Sequence, residues 1–457
     1  MICTVSNEIV IQDPEADFLK SLEHSLTFTN PEYVKKTRMG FWTGDTPKTL
    51  SLMWRRGNQI GIPFGCIKRI AENKSKFCNI VNRVSRPINK VDYDSSITLY
   101  DYQQEAVNAA LKQKNGIITA PCGSGKTQMG LEIAARIGGK TLWLTHTMDL
   151  LNQSMDRAKS VLGLPDDAYG MITAGKVNVG SVITFATVQT MSKMDLNIVR
   201  DAFDVIIVDE AHHCVGSPSK VHMFYKVVSS LCARYKIGLT ATPTRQDGLI
   251  GCMYALLGDD IYKVTNAQVK SNLCDVCIQF MDTGYSPNLD VVLSSDGTLQ
   301  YTSLITDMTE DTMRNSKIVE HIKSVSGKGM ILTDRVSHVA TIARMLGNKA
   351  VTLTGRISKN DRERAISAIK NGEAQFLVAT YSIAREGLDI PDLDNLFLVT
   401  PKKDYASVIQ SVGRVARKAD GKKYGYVYDY VDDFGMLRGW ARKRSGFYKK
   451  AGYYVAF

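Results

Sequence analysis

The segment APCGSGKT at residues 120–127 constrains the fold of this 457-residue chain more than any other feature. It follows a short apolar run, GIITA, and precedes TQMGLEIAARI, whose apolar spacing is typical of a helix. Gly123 and Gly125, on either side of Ser124, let the backbone approach phosphates, and the start of the helix favours an anion. Lys126 then reaches the β- and γ-phosphates, and Thr127 holds Mg²⁺. We therefore predict a phosphate-binding loop that holds a nucleotide.

A second motif, DEAHH, follows the apolar run VIIV about 80 residues later. A carboxylate at the carboxyl end of a strand that neighbours the phosphate-binding loop supplies the second anchor that Mg²⁺ needs, which assigns Asp209 to the metal and the nucleotide. Glu210 then lies close to where an attacking water would sit, as the general base. His213 is interpreted as a loop histidine. The two motifs together predict hydrolysis of a nucleoside triphosphate.

Short apolar runs alternate with helical segments in two successive series, which predicts an α/β fold with parallel sheets and crossover helices. Residues 1–91 are rich in turn signals and predict a small β or α+β domain. The expected organisation is a basic N-terminal domain at 1–91, a first lobe at 92–265, a linker and start of the second lobe at 266–312, a second lobe at 313–433 and a basic C-terminal tail at 434–457.

The net charge of +11 is concentrated toward the two ends of the chain. Residues 30–91 hold thirteen Lys or Arg and three Asp or Glu, and residues 434–457 hold six basic residues and no acidic ones. A basic patch with interleaved aromatic residues favours nucleic acid through phosphate contacts, and the alternative is a solvated basic surface. For the C-terminal tail both interpretations stay open. The candidate DNA-binding residues of the N-terminal domain are Lys35, Lys36, Arg55 and Arg56.

Composition excludes two broad classes of protein. The longest apolar runs are far shorter than the roughly 20 residues of a membrane span, and the N-terminus has no signal-peptide pattern. The nine cysteines are scattered and odd in number, so a disulfide framework is not expected. These features predict a cytoplasmic protein that does not bind membranes.

Residues 99–433 resemble the motors of superfamily 2 helicases, and their motifs stand in the order of that family. The resemblance implies two tandem RecA-like lobes with ATP and Mg²⁺ as cofactors. In the first lobe, LYDYQ at 99–103 resembles the segment that touches the adenine end of ATP, with Gln103 as the contact. LWLTHTMDLLNQ and FATVQTM resemble DNA-strand motifs, with Thr147, Thr187 and Gln189 as contacts. The coupling residues implied are His212, Thr240 and Thr242.

In the second lobe, QSVGRVAR at 410–417 matches the final motif of the family. Gln410, Arg414 and Arg417 are the catalytic residues that it implies. Arg414 and Arg417 are three residues apart, which places them on one helical face, and they act as arginine fingers on the γ-phosphate. YSIAREGLDIP resembles the motif in which Gly387 and Asp389 approach the nucleotide. The strand contacts implied for this lobe are Thr333, Thr354, Gly355 and Thr380.

Within the superfamily, the compact motor behind a basic N-terminal domain resembles phage UvsW-type and XPB-type DNA helicases. That resemblance implies a monomeric motor acting on duplex, forked or branched DNA by fork remodelling, branch migration or unwinding, with replication or recombination proteins as partners, and in the host cytoplasm if the chain is phage-encoded. One alternative is the motor subunit of a restriction-type complex or an RNA helicase. The other is a nucleic-acid-binding protein with an inactive motor, which requires loss of Lys126, Glu210 or Arg417, and all three are present.

Overall fold

In the computed structural model the described residues are 1–84, 87–216, 222–241, 243, 245, 247–270, 272–355, 357–385, 390, 392–419 and 421–456. They form two compact units, Met1–Thr265 and Asn266–Phe457. Within the described residues no helix is both long enough and apolar enough to cross a membrane.

The first unit begins with a small α+β region built on a five-stranded sheet in the order β5-β6-β2-β1-β7. Alternate residues of its strands face the core, so that Val5, Ile9 and Ile11 are buried together with Leu22 of the first helix. The elements are β1 (Ile2–Val5), β2 (Glu8–Gln12), α1 (Ala16–Leu26), β3 (Thr27–Thr29), α2 (Pro31–Arg38), β4 (Thr49–Ser51), β5 (Trp54–Arg56), β6 (Gln59–Pro63), α3 (Ile67–Glu72) and β7 (Asn79–Asn82).

The rest of the first unit is an eight-stranded sheet in the order β11-β10-β12-β9-β13-β14-β8-β15, parallel except for the β10–β11 pair. Its central strands are buried along their whole length, as expected for a parallel sheet covered on both faces. The elements are α4 (Asp101–Gln113), β8 (Asn115–Thr119), α5 (Lys126–Ile137), β9 (Thr141–Thr145), α6 (Met148–Val161), β10 (Tyr169–Thr173), β11 (Lys176–Asn178), β12 (Ile183–Thr187), α7 (Val188–Met191), β13 (Val205–Asp209), α8 (Met223–Ser230), β14 (Tyr235–Thr240), α9 (Ile250–Leu257) and β15 (Asp260–Lys263).

The five-stranded and eight-stranded sheets of the first unit share one hydrophobic core. Gly65, after β6, lies so close to the end of α9 that a Cβ atom there would meet the backbone oxygen of Ala255 at 2.5 Å. The buried Nζ atom of Lys236 in β14 lies 4.6 Å from the centroid of the Phe64 ring, and the side-chain amide of Asn7 donates 2.7 Å to a backbone carbonyl in α8. The N-terminal region is therefore fixed to the first lobe by packing as well as by the chain.

The second unit is a seven-stranded parallel sheet in the order β18-β19-β17-β20-β21-β16-β22. Its elements are α10 (Asn266–Lys270), β16 (Asp275–Asp282), α11 (Leu289–Val292), α12 (Tyr301–Glu310), α13 (Thr312–Ser324), β17 (Gly329–Thr333), α14 (Val336–Leu346), β18 (Ala350–Leu353), α15 (Lys359–Lys370), β19 (Phe376–Thr380), α16 (Tyr381–Arg385), β20 (Asn395–Leu398), α17 (Tyr405–Val415), β21 (Tyr424–Val431), α18 (Gly435–Lys450) and β22 (Tyr454–Ala456).

Residues 266–312, expected as a linker and the start of the second lobe, begin the second unit and supply its interior strand β16. One segment differs from its predicted description. Residues 434–457, expected as a basic tail, form α18 and the edge strand β22. Helix α18 buries Leu437, Trp440 and Tyr448 on one face, and its Arg444 forms an ion pair with Asp429 of β21 in which both side chains are 1% exposed. Although the segment is highly charged, one face of its helix is apolar and buried. The C-terminal residues therefore belong to the second lobe.

Candidate nucleotide and nucleic-acid sites

The phosphate-binding loop lies between β8 and α5, as the sequence predicts. Gly123 and Gly125 have φ angles of 80° and 77°, which side chains other than glycine rarely adopt. The ammonium of Lys126 lies 3.3 Å from the carbonyl oxygen of Ala120 and 3.5 Å from that of Pro121, across the mouth of the loop. The hydroxyl of Ser124 is buried with no hydrogen-bond partner. A loop with a cation and an unused buried donor fits a bound phosphate.

Helix α4 packs against this loop and donates hydrogen bonds to it. The side-chain amide of Gln103 donates 2.8 Å to the carbonyl of Ser124, and the hydroxyl of Tyr102 donates 3.2 Å to the same oxygen. The carbonyl oxygen of Gln103 accepts from the Tyr100 backbone at 3.0 Å. Gln103 is 1% exposed, so the structure places it under the loop, where a Cβ atom on Gly125 would lie 2.3 Å from its nitrogen. Its adenine contact stays a prediction, but its position is that of a residue that shapes the loop.

Asp209 ends β13 and Glu210 follows in a left-handed conformation, with φ 51° and ψ 51°. The backbone N–H of Glu210 donates 3.0 Å to the Asp209 carboxylate. Strand β13 does not pair with the strand of the phosphate-binding loop, because β14 lies between β13 and β8. The parallel register nevertheless brings the carboxyl ends of all three strands to the same edge of the sheet.

The two carboxyl groups at this edge differ in proton affinity. Burial raises the pKa of Asp209, and the neighbouring carboxylate of Glu210 raises it further. Burial also opposes the charged form of Glu210, but the hydrogen bond from His212 and the charge of Lys126 outweigh it and lower the pKa of Glu210. Of the two carboxyl groups, Glu210 therefore binds a proton more weakly than Asp209 does. Thr127 and Asp209 are the residues that would hold Mg²⁺, which would stabilise charge on the phosphates.

His212 joins the DEAH segment to the end of β14. Its Nδ1 atom lies 3.3 Å from the Glu210 carboxylate and 3.1 Å from the hydroxyl of Thr240. The structure thus brings together two of the three residues predicted to couple hydrolysis to movement; the third, Thr242, lies outside the described residues. Arg245, which the sequence did not single out, donates 2.8 Å to the carbonyl of His212 and forms an ion pair with Asp247.

A cluster of three histidines lies beside these residues, and the sequence did not predict it. The ring of His213 lies 4.4 Å from that of His146 and 4.3 Å from that of His212, between centroids. Burial, followed by the neighbouring His212 and His146, lowers the pKa of His213 to about 3. The interpretation of His213 as a loop histidine is therefore incomplete, because it joins the DEAH segment to the loop after β9. The His-His pair in DEAHH is the only sequence signal for it.

The predicted strand contacts of the first lobe lie at the carboxyl ends of β9 and β12. The side-chain amide of Gln189 donates 2.5 Å to the carbonyl of His146, which ties the two loops together. The hydroxyl of Thr147 accepts from the backbone of Leu150 at the start of α6. Thr187 is buried, with its hydroxyl bonded to Thr190. The structure gives each of these side chains a role in shaping the loops.

In the second lobe, Thr333 and Thr380 end β17 and β19 and are buried. The hydroxyl of Thr333 lies 2.8 Å from Nδ1 of His338, so this side chain is committed inside the lobe and cannot contact a strand without rearrangement. Thr354 is half-buried and Gly355 is exposed after β18. Gly387 and Asp389, the predicted nucleotide contacts of this lobe, lie outside the described residues.

The predicted arginine fingers lie at the end of α17. Gln410 and Arg414 are one turn apart on this helix, which ends at Val415. Arg417 lies beyond the helix and forms an isolated β-bridge with Leu273. The prediction that both arginines share a helical face is therefore wrong. The helix ends at residue 415, and the backbone N–H of Cys274 donates a hydrogen bond to the carbonyl of Ala416.

The predicted DNA-binding residues of the N-terminal region lie on two elements. Lys35 is exposed on α2. Lys36, on the same helix, donates 2.7 Å to the hydroxyl of Thr46 and lies 3.3 Å from Glu32. Arg55 and Arg56 are exposed on the edge strand β5. Lys35, Arg55 and Arg56 present charge to solvent, whereas Lys36 holds a turn in place.

Two family profiles match the chain. The family "Type III restriction enzyme, res subunit" matches residues 96–245, and "Helicase conserved C-terminal domain" matches residues 313–419. These segments contain the phosphate-binding loop with the DEAH motif, and the two arginines, respectively. Two α/β lobes with these motifs define an ATP-hydrolysing motor of the helicase type.

Similar proteins support the same class. The protein L396 of Acanthamoeba polyphaga mimivirus, named as an ATP-dependent RNA helicase, is 28% identical over 87% of this chain and 76% of its own length. The DNA 3′-5′ translocase XPB2 of Sulfurisphaera tokodaii is 26% identical over 75% of this chain and 83% of its own length. A type I restriction enzyme HsdR fragment from Vibrio vulnificus shares the fold with a TM-score of 0.55 and 19% identity, over 74% of this chain and 64% of the fragment. The chain belongs to the superfamily 2 helicases and translocases and is an ATP-hydrolysing helicase.

Proposed function

We propose that this helicase is a DNA translocase that couples ATP hydrolysis to movement on duplex, forked or branched DNA. The observation that carries the proposal is the fusion of the basic N-terminal region to the ATPase lobe. Residues 30–91 carry most of the excess positive charge, and they share a hydrophobic core with the lobe that holds the phosphate-binding loop. Duplex gripped by this region is therefore held rigidly relative to the ATPase site.

We propose one role for each residue of the ATPase site, which the geometry of the first lobe supports. Lys126 and the loop amides bind the phosphates, Thr127 and Asp209 hold Mg²⁺, and Glu210 positions and deprotonates the attacking water. His212 links Glu210 to Thr240, so a shift of β14 changes the position of the base.

Arg414 and Arg417 are proposed as arginine fingers. Alanine at either position is expected to lower turnover on the order of 10³-fold, because transition-state charge on the phosphate loses a partner. DNA binding without nucleotide is expected to persist. Turnover within a few-fold of wild type would mean that these arginines do not act on the nucleotide.

Substrate choice is the finer part of the proposal. The XPB2 relative favours DNA, whereas the name of the mimiviral relative favours an RNA helicase as the second candidate. We propose to measure ATP turnover of the isolated chain with forked DNA, linear duplex, single-stranded DNA and RNA of matched length. Stimulation by forked or duplex DNA well above that by RNA is expected. Stimulation by RNA alone would replace the proposal with the RNA helicase, and no stimulation by any of them would favour a motor that needs a larger complex.

A second experiment tests the basic region directly. Charge reversal at Lys35, Arg55 and Arg56 is expected to weaken DNA binding and to make the dependence of log K on log salt shallower, because phosphate contacts are lost. Reversal of Lys112, Lys176 and Lys193, exposed basic residues of the first lobe outside residues 30–91, is the matched control. Unchanged affinity and salt slope in a folded variant would assign the charge to a solvated surface.

A further inference from the structure

Two aromatic side chains stand exposed in the turn that follows α2. Trp42 is 86% exposed and Phe41 is 60% exposed, next to Met39 at 54%. A single exposed apolar side chain is ordinary, but adjacent exposed aromatic rings indicate a binding surface. Trp54, also in the N-terminal region, behaves differently: its indole nitrogen donates 2.8 Å to Glu8, and its ring covers Gly61. The exposure of Trp42 is therefore specific to this turn.

The turn holds the Trp42 ring in a fixed position. The ring lies over Gly44, where a Cβ atom would come within 2.5 Å of it and where φ is +44°. Lys36 of α2 anchors the far side of the turn through its 2.7 Å hydrogen bond to Thr46, and the backbone of Thr46 donates 2.8 Å to Thr43. The six-membered ring of the indole thus lies beside Gly44, and most of the side chain remains exposed to a flat ligand.

The charge around the turn selects the kind of ligand. Residues 31–48 hold four Lys or Arg and two acidic residues, and Lys35, Arg38 and Lys48 are exposed. A ligand with flat apolar faces and negative charge matches this combination, and single-stranded nucleic acid has both.

The position of the turn in the first unit favours the same ligand. Beside it, α2 forms one wall of a cleft of about 490 Å³ that includes Lys35, Arg38 and, from the first lobe, Asp247. Asp247 is paired with Arg245, which bonds the carbonyl of His212 in the DEAH segment. The cleft beside the aromatic turn is therefore connected through Asp247 and Arg245 to the DEAH segment, so a strand bound at the turn would lie on the lobe that hydrolyses ATP.

We propose that Phe41 and Trp42 form a stacking platform for unpaired bases, such as those where a fork or branch opens. The proposal rests on the proposed function, since it specifies how the N-terminal region distinguishes opened DNA from continuous duplex. The basic residues bind the phosphate backbone whether or not the bases are paired, whereas stacking on Phe41 and Trp42 requires an unpaired base.

The test compares two forked DNAs that differ only at the unpaired arms: one carries ordinary bases and the other carries abasic positions. Trp42→Ala is expected to weaken binding to the first fork by at least about fivefold, and to change binding to the abasic fork by less than twofold. Trp42→Phe is expected to retain most of the affinity, and Trp42→Leu to behave as alanine, because a ring is needed for stacking. Ile198→Ala is the matched control, since Ile198 is 78% exposed elsewhere on the first lobe.

Thermal unfolding establishes that each variant is folded before affinities are compared. Three results would each overturn the platform: equal affinity of wild type and Trp42→Ala for the fork with bases, equal losses of affinity on both forks, or wild-type affinity of Trp42→Leu for the fork with bases. The same wild-type preparation is assayed for DNA-stimulated ATP turnover. No stimulation by any DNA defeats the proposed function itself, whereas normal stimulation with an unaltered Trp42→Ala affinity defeats only the platform.

Discussion

The side-chain amide of Gln103 donates a 2.8 Å hydrogen bond to the backbone carbonyl of Ser124, at the centre of the phosphate-binding loop. Both groups are buried, so the bond cannot be replaced by water without opening the contact between α4 and the loop. The loop therefore depends on a helix that precedes it in sequence by about 20 residues.

Gln103→Ala is expected to raise the KM for ATP by a few-fold to roughly tenfold, because the buried Ser124 carbonyl loses the shorter of its two hydrogen bonds and keeps only the one from Tyr102, at a cost of about 1 kcal/mol. Gln104→Ala is the matched control, since Gln104 bonds only to the exposed Asn108 and Arg136 side chains. An unchanged KM in Gln103→Ala would show that the loop keeps its shape without α4.

Lys126→Ala and Glu210→Gln are both expected to abolish ATP turnover but to differ in ATP binding. Lys126→Ala removes the charge at the mouth of the loop and weakens binding, whereas Glu210→Gln removes only the general base and leaves binding nearly intact. Equilibrium binding of a fluorescent ATP analogue separates the two. Comparable losses of affinity would contradict the role given to Glu210.

Lys236 predicts a dependence of stability on pH. Burial lowers its pKa to about 7 from 10.5, so between these values the unfolded chain binds a proton that the folded chain has lost. The free energy of unfolding therefore increases with pH from about 7 to about 10.5, by about 1.4 kcal/mol for each unit of the shift. Denaturant titrations of wild type and Lys236→Met across this window provide the measurement. The difference between the two proteins is expected to change with pH, and parallel curves would mean that Lys236 is not buried as a neutral amine.

Arg444 predicts that the C-terminal segment is essential to the second lobe. Its guanidinium donates two hydrogen bonds of 2.7 Å to Asp429, which also accepts from Tyr448 at 2.7 Å. Arg444→Met leaves the buried carboxylate without its cation, at an expected cost of about 3–5 kcal/mol. Arg442→Met, on the exposed face of the same helix, is the control and is expected to lie within about 0.5 kcal/mol of wild type. Similar stabilities of the two variants would mean that residues 434–457 are a tail and not an integral part of the second lobe.

The sequence predicts features that depend on short stretches of chain, and it fails where distant segments meet. The phosphate-binding loop and Asp209 follow local rules, since each stands at the end of an apolar strand. The support from Gln103 requires α4 to pack against the loop, and the histidine cluster at His213 requires two distant segments to converge, so neither can be predicted from spacing. The many basic residues of α18 predicted an exposed tail, but one face of the helix is buried. Arg444, one of those basic residues, lies on that buried face.

Movement along duplex DNA is the central claim, and displacement of a third strand from a DNA triplex tests it most directly, because it reports translocation without requiring strand separation. The wild-type chain is expected to displace the third strand with ATP and Mg²⁺, and to fail with a non-hydrolysable analogue. Glu210→Gln is expected to fail with either nucleotide. DNA-stimulated ATP turnover by the wild-type chain without any displacement would contradict the claim that hydrolysis drives movement on duplex DNA.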